Sequence, residues 1–102
     1  MYNIKYLINK DLVNREAINL IFKLNNLKTN LYILNNKKRL INGKSLIGLL
    51  QANIRGGDII TVSIEDSTET YNIKNIFNNI GREVGWFQII EPLHWQQQRK
   101  MI

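Results

Sequence analysis

Cysteine is absent from this 102-residue chain, so no disulfide framework and no thiolate metal site can form. Histidine is nearly absent: His94 is the only one, with no second ligand or catalytic partner beside it, which nearly excludes a conventional zinc site. Proline occurs once, as Pro92, so no proline punctuates the first nine-tenths of the chain. No apolar run approaches the roughly 20 residues of a membrane span, and Met1 to Lys10 alternates polar and apolar residues where a signal peptide would be continuously apolar. A cytoplasmic protein with no membrane partner, metal or cofactor is the expectation. Acidic residues are also scarce, 8 against 14 Lys and Arg, and the resulting net charge of +6 attracts nucleic acid or acidic partners without dictating a fold.

What is present is ordinary globular composition. An apolar content of 44% with 22% charged residues is enough to form one core in a chain of this length. Tyr2, Ile4, Tyr6 and Ile8 alternate with Asn3, Lys5 and Asn9, the period of a half-buried strand. Asn14 then stands as a candidate N-cap before Ala17, Leu20, Ile21 and Leu24, whose spacing predicts an amphipathic helix ending near Asn25-Asn26. Leu31 to Leu34 and Leu40 to Asn42 read as strands joined by the basic connection Asn35 to Arg39. Ser45 opens a short helix with Leu46, Leu49 and Leu50 inward. Ile60, Val62 and Ile64 alternate in a fourth strand, Asp66 and Glu69 have capping-box spacing, and Ile73, Ile76, Phe77, Ile80 and Val84 trace a last helical stripe weakened at Gly81. The implied order, βαββαβα, is an α+β sandwich with helices on one face of a sheet. The tail from Trp86, with Phe87, Ile89, Ile90 and Trp95, either folds back over the uncovered face of the sheet or meets a second chain.

The stretch Asn42 to Asp58, with Lys44-Ser45, Leu46-Ile47, Gly48, Leu49-Leu50 and a glycine before the last strand, resembles the regulatory-serine segment of the HPr family, small histidine-containing phosphocarriers of the bacterial sugar phosphotransferase system. The resemblance covers about Tyr2 to Val84. It implies an open-faced β-sandwich with a four-stranded antiparallel sheet in the order 1-4-2-3 and three helices on one side. It divides the chain into an HPr-like domain, residues 1–85, and a C-terminal extension, residues 86–102. The phosphoryl-accepting segment departs from the family pattern. Its histidine position is held by Val13, which has no nucleophilic atom, and its proline position by Glu16, whose carboxylate at a helix start would take part of a phosphate's electrostatic role; Arg15 and Ala17 fit.

What remains is similar to the catabolite-repression branch of the family, which lacks the active histidine and acts through the phosphorylated serine. Carried over, Ser45 is the phosphoacceptor for an HPr kinase, Leu46 and Ile47 are an apolar docking patch, and Arg15 contacts a protein partner such as a catabolite control transcription factor. The implied protein is a regulator and not an enzyme. A serine at a helix start is also a preferred cap, and an extra apolar residue such as Ile47 is also partial core, so both readings stand at each position. Lys37-Lys38-Arg39 reads chiefly as a solvated hairpin tip; nucleic-acid binding is disfavoured because the third strand lacks the aromatic stacking motif of RNA-recognition sheets. A constitutive interaction module or a nucleic-acid-binding module on the same fold is the alternative, and a homodimer formed through the first strand is left open.

Overall fold

A computed structural model of the chain describes residues 2–88. Strands β1 (Tyr2–Ile8), β2 (Leu31–Leu34), β3 (Leu40–Asn42), β4 (Ile59–Ile64) and β5 (Gly81–Gln88) alternate with helices α1 (Asn14–Asn25), α2 (Leu46–Ala52) and α3 (Thr70–Phe77). The strands form one antiparallel sheet in the order β3-β2-β4-β1-β5. The expected order 1-4-2-3 lies within it, but the sheet has five strands and not four, because residues 81–88 add to the outer edge of β1.

That addition corrects the last helical stripe as well. The helix stops at Phe77, and Val84 belongs to β5. Tight turns at Asn78–Ile80, with the Asn79 N–H donating to the Ile76 carbonyl and the Ile80 N–H to the Phe77 carbonyl, end the helix and reverse the chain. Gly81 is then needed for close approach and not as a weak helix residue: a Cβ there would lie 2.4 Å from the Leu7 carbonyl oxygen. β5 includes the first three residues of the segment set apart at position 86, while Ile89, Ile90, His94 and Trp95 of the tail lie outside the described residues.

The core forms where the strands' inward residues meet the helices. Ile4, Tyr6, Ile8, Ile33, Ile60, Val62 and Ile64 from the sheet pack with Ala17, Leu20 and Leu24 of α1, Leu49 and Ala52 of α2, and Ile73 and Phe77 of α3. Leu50 turns outward instead of inward, because three-residue steps carry the buried stripe of this short helix through Leu46, Leu49 and Ala52. The Asp66 side chain accepts from the Thr68 N–H, the main cause holding its carboxyl below the usual range, with the Thr68 side chain second. The expected capping box is not closed, since Glu69 instead accepts from the backbone N–H groups of Lys28 and Thr29 and ties the loop before β2 to the start of α3.

Tyr6 is fully buried and stacked on Phe77 at 5.2 Å between ring centroids, yet its hydroxyl has no hydrogen-bond partner among the described residues. Burial first, and the nearby Glu83 charge second, push the phenol up to about 12 from 10.0. A pKa raised in the folded state leaves stability intact below the unfolded value and removes it as pH rises through the folded one. Tyr6→Phe should therefore alter stability at pH 7 by no more than about 1 kcal/mol, in either direction, and should make the protein more resistant than wild type between about pH 10 and 12; urea titrations at pH 7 and pH 11 check both. Gly81→Ala should cost about 1–3 kcal/mol through overpacking, against little for Gly85→Ala, where nothing lies within 4 Å of the added methyl; paired thermal melts measure the contrast.

Candidate functional site

Ser45 precedes α2 in an extended conformation, and its hydroxyl oxygen accepts from the Gly48 N–H at 3.1 Å. This is N-cap geometry: the oxygen satisfies one of the donors that a helix start leaves open. The segment before it is held from both sides. The Asn42 side chain accepts from the Lys44 N–H at 2.9 Å, and the Lys44 ammonium donates to the Leu27 carbonyl, two residues past the end of α1. Asn25 adds a second link, its amide donating to the Ile21 carbonyl and, at 3.4 Å, to the Lys44 carbonyl.

These contacts set the C-terminal end of α1 against the start of α2. Arg15, Ile18, Phe22 and Asn25 recur at steps of three, four and three, so they form one stripe along α1 that runs from its first turn to the Ser45 segment. Its apolar members face solvent, Phe22 at 72% and Ile18 at 54% exposure, and α2, whose start is tied to the end of this stripe, exposes Ile47 at 70%. Leu46, by contrast, packs partly against the core. Of the two residues expected as a docking patch, then, Ile47 is outward and Leu46 is mostly structural. Ile18 and Phe22 were not anticipated. The signal for them was two apolar residues four apart, off the buried Ala17-Leu20-Ile21-Leu24 stripe.

The other predicted positions gather at the start of α1. Val13, and not Asn14, occupies the N-cap, and its side chain can accept no hydrogen bond. Asn14 follows with φ +51°, a left-handed value that Asn tolerates better than most residues. Arg15 is exposed and forms no ion pair among the described residues. Glu16 is half-buried, 4.0 Å from the Lys10 ammonium, and lines a cleft of about 290 Å³ between α1 and α3 with Asn19, Lys23, Ile76 and Asn79. No hydrogen bond joins its carboxylate to the free N–H groups of the first turn among the described residues. Nothing among those residues groups three metal-ligating side chains, and no helix among them is long and apolar enough to cross a membrane.

The family model described as "PTS HPr component phosphorylation site" matches residues 7–80. The chain belongs to the HPr family of the phosphotransferase system. The HPr fold is shared with HPr-C-His of Thermoanaerobacter tengcongensis, at TM-score 0.68 and 21% identity over 78% of this chain and 91% of that one. It is shared too with the phosphocarrier protein HPr of Bacillus anthracis, at 0.70 and 19% identity over 76% and 94%, and with the histidine-containing phosphocarrier protein of Mycoplasma, at 0.65 and 21% over 76% and 92%. No curated relative matches the chain. HPr proteins are phosphocarriers, and the matched region contains all three helices of this member.

The cap predicts a measurable cost. Ser45→Ala should lose about 1 kcal/mol of stability and Ser45→Asp, still able to accept from Gly48, much less; urea denaturation of the three proteins tests the order.

Proposed function

We propose that this HPr-family member is a non-catalytic regulator that binds a protein partner in the cytoplasm and carries no phosphate on histidine. The observation that carries the reading is the exposed apolar stripe of Ile18 and Phe22 with Ile47, which starts at Arg15 and ends at the Ser45 cap. Exposed aromatic and aliphatic side chains on adjacent helices, bordered by a cation, have the composition of a docking surface. Val13 supports the negative half of the proposal on chemical grounds, since an isopropyl group offers neither nucleophile nor base for phosphoryl transfer.

Ser45 is the control point in this reading. Phosphorylation by an HPr kinase adds about 1.5 to 2 negative charges and three acceptor oxygens at a helix start, where backbone dipoles favour an anion, so the domain stays folded while the surface beside Ile47 changes sign. The partner class is a catabolite control transcription factor, which would read the apolar stripe, the phosphate and Arg15 together. A constitutive interaction module is distinguished by indifference to residue 45.

Incubation with an HPr kinase and ATP should place one phosphate on Ser45, seen by mass spectrometry, and none on a Ser45→Ala control. In pull-downs with such a transcription factor, Ser45→Asp should bind at least tenfold better than Ser45→Ala, and Phe22→Asp with Ile47→Asp should abolish capture. Equal capture of the two Ser45 variants would leave a constitutive interaction, and a failure of several kinases to modify Ser45 would remove the regulatory half.

A further inference from the structure

The sheet's second face is separate from the α1–α2 surface. Register puts Leu40, Leu34, Thr61 and Lys5 in one row across β3, β2, β4 and β1, and Ile59, Leu7 and Arg82 in the next across β4, β1 and β5. Side chains opposite one another in an antiparallel pair share a face, and this set alternates with the core residues of the same strands. Leu34, Leu7, Leu40 and Ile59 thus make an aliphatic patch across these two rows, with Leu40 at 64% and Ile59 at 49% exposure, while the adjoining row holds Tyr32, Ser63 and Asn3, the last two joined by a hydrogen bond.

Both borders are cationic. Lys5 and Arg82 lie on the β1–β5 side. On the other side the β2–β3 hairpin carries Lys37, Lys38 and Arg39, all exposed and in no ion pair among the described residues. The hairpin is rigid: the buried Asn35 side chain accepts from the N–H groups of Lys37 at 3.0 Å and Arg39 at 2.8 Å, and Lys38 turns the chain at φ +62°. Among the described residues no strand position on this face is acidic. Glu65, just past β4, is within 3.3 Å of the Asn30 amide.

We infer that this face docks an acidic amphipathic helix of a partner protein. From β3 to β5 is four strand spacings, about 19 Å, which spans a helix about 10–12 Å across with carboxylates reaching either border. Charge complementarity selects the occupant. A second copy of this chain would oppose cation to cation across an apolar contact. Single-stranded nucleic acid stacks on several aromatic rings, whereas the two rows at the middle of this face, Leu40-Leu34-Thr61-Lys5 and Ile59-Leu7-Arg82, carry none. With Ser45 on the helical side of the sheet, the protein would hold two partners on opposite surfaces.

The probe is a fluorescein-labelled 14-residue peptide with Leu at helical spacing flanked by Glu, its Lys-for-Glu counterpart serving as control, titrated into the full chain labelled with ¹⁵N. The acidic peptide should bind at least tenfold more tightly than the basic one and shift the amides of Lys5, Leu7, Leu34, Leu40 and Ile59. Leu40→Asp with Ile59→Asp should weaken it at least tenfold with an unchanged melting temperature, and Lys37→Glu with Arg82→Glu should reverse the preference between peptides. Equal binding of the two peptides, no binding, or shifts centred on Phe22 and Ile47 would overturn the inference. So would tighter binding of oligo-dT, self-association abolished by the Leu40 and Ile59 changes, or a response of the residue 89–102 amides to those changes in the absence of peptide.

Discussion

The double pairing of β1 is the constraint on which the rest of the molecule depends. Residues 2–7 pair with β4 on one side and residues 2–8 with β5 on the other, so the strand that begins the fold lies inside the sheet. An interior strand has no unpaired edge, and every inward residue must meet the core. Tyr6 shows how strongly this position is held. Its ring is stacked on Phe77 in the middle of the core although its hydroxyl finds no partner among the described residues, so apolar packing outweighs the penalty of a buried, unsatisfied O–H.

From that arrangement the two working surfaces follow. The helices must cover the face carrying Ile4, Tyr6 and Ile8, and they do so by burying one stripe each. α1 is long enough to bury Ala17, Leu20 and Leu24 while exposing a second stripe, and the tie between Asn25 and Lys44 brings that second stripe to the start of α2. The opposite face keeps the alternate residues of the same strands. One sheet thus separates an apolar surface next to a capped serine from an aliphatic surface with cationic borders. The scarcity of acidic residues sharpens the separation, because the described carboxylates are engaged in local ion pairs, caps and loop ties such as Lys74–Glu83 and Glu69 with Lys28 and Thr29.

Much of this was legible in the chain itself. The alternation in β1 and β4, the spacing of the α1 core residues, the ranges of β2 and β3, and the cap at Ser45 all follow from short-range periodicity and side-chain chemistry, which report which residues share a face. The family resemblance carried the strand order 1-4-2-3, retained within the larger sheet. The failures have a common cause. Asn14, Glu69 and the Ile73-to-Val84 stripe each satisfied a local pattern, but Val13 holds the cap position, Glu69 bonds to a loop 40 residues away in sequence, and the end of the stripe is a strand. Local patterns state what a residue is able to do; a distant partner decides which ability is used.

The sequence by itself determined the chemistry available: no thiol, no nucleophile at Val13, a serine able to cap a helix, and an excess of cations. Tertiary structure decided where that chemistry lies. Only long-range pairing could turn residues 81–88 into a fifth strand, because the edge of β1 and the space beside the Leu7 carbonyl exist only once the sheet has formed. Likewise, only the packing of the end of α1 against the start of α2 could bring the Phe22 and Ile18 stripe toward the helix that carries Ile47, since these residues lie on different helices and no periodicity links them.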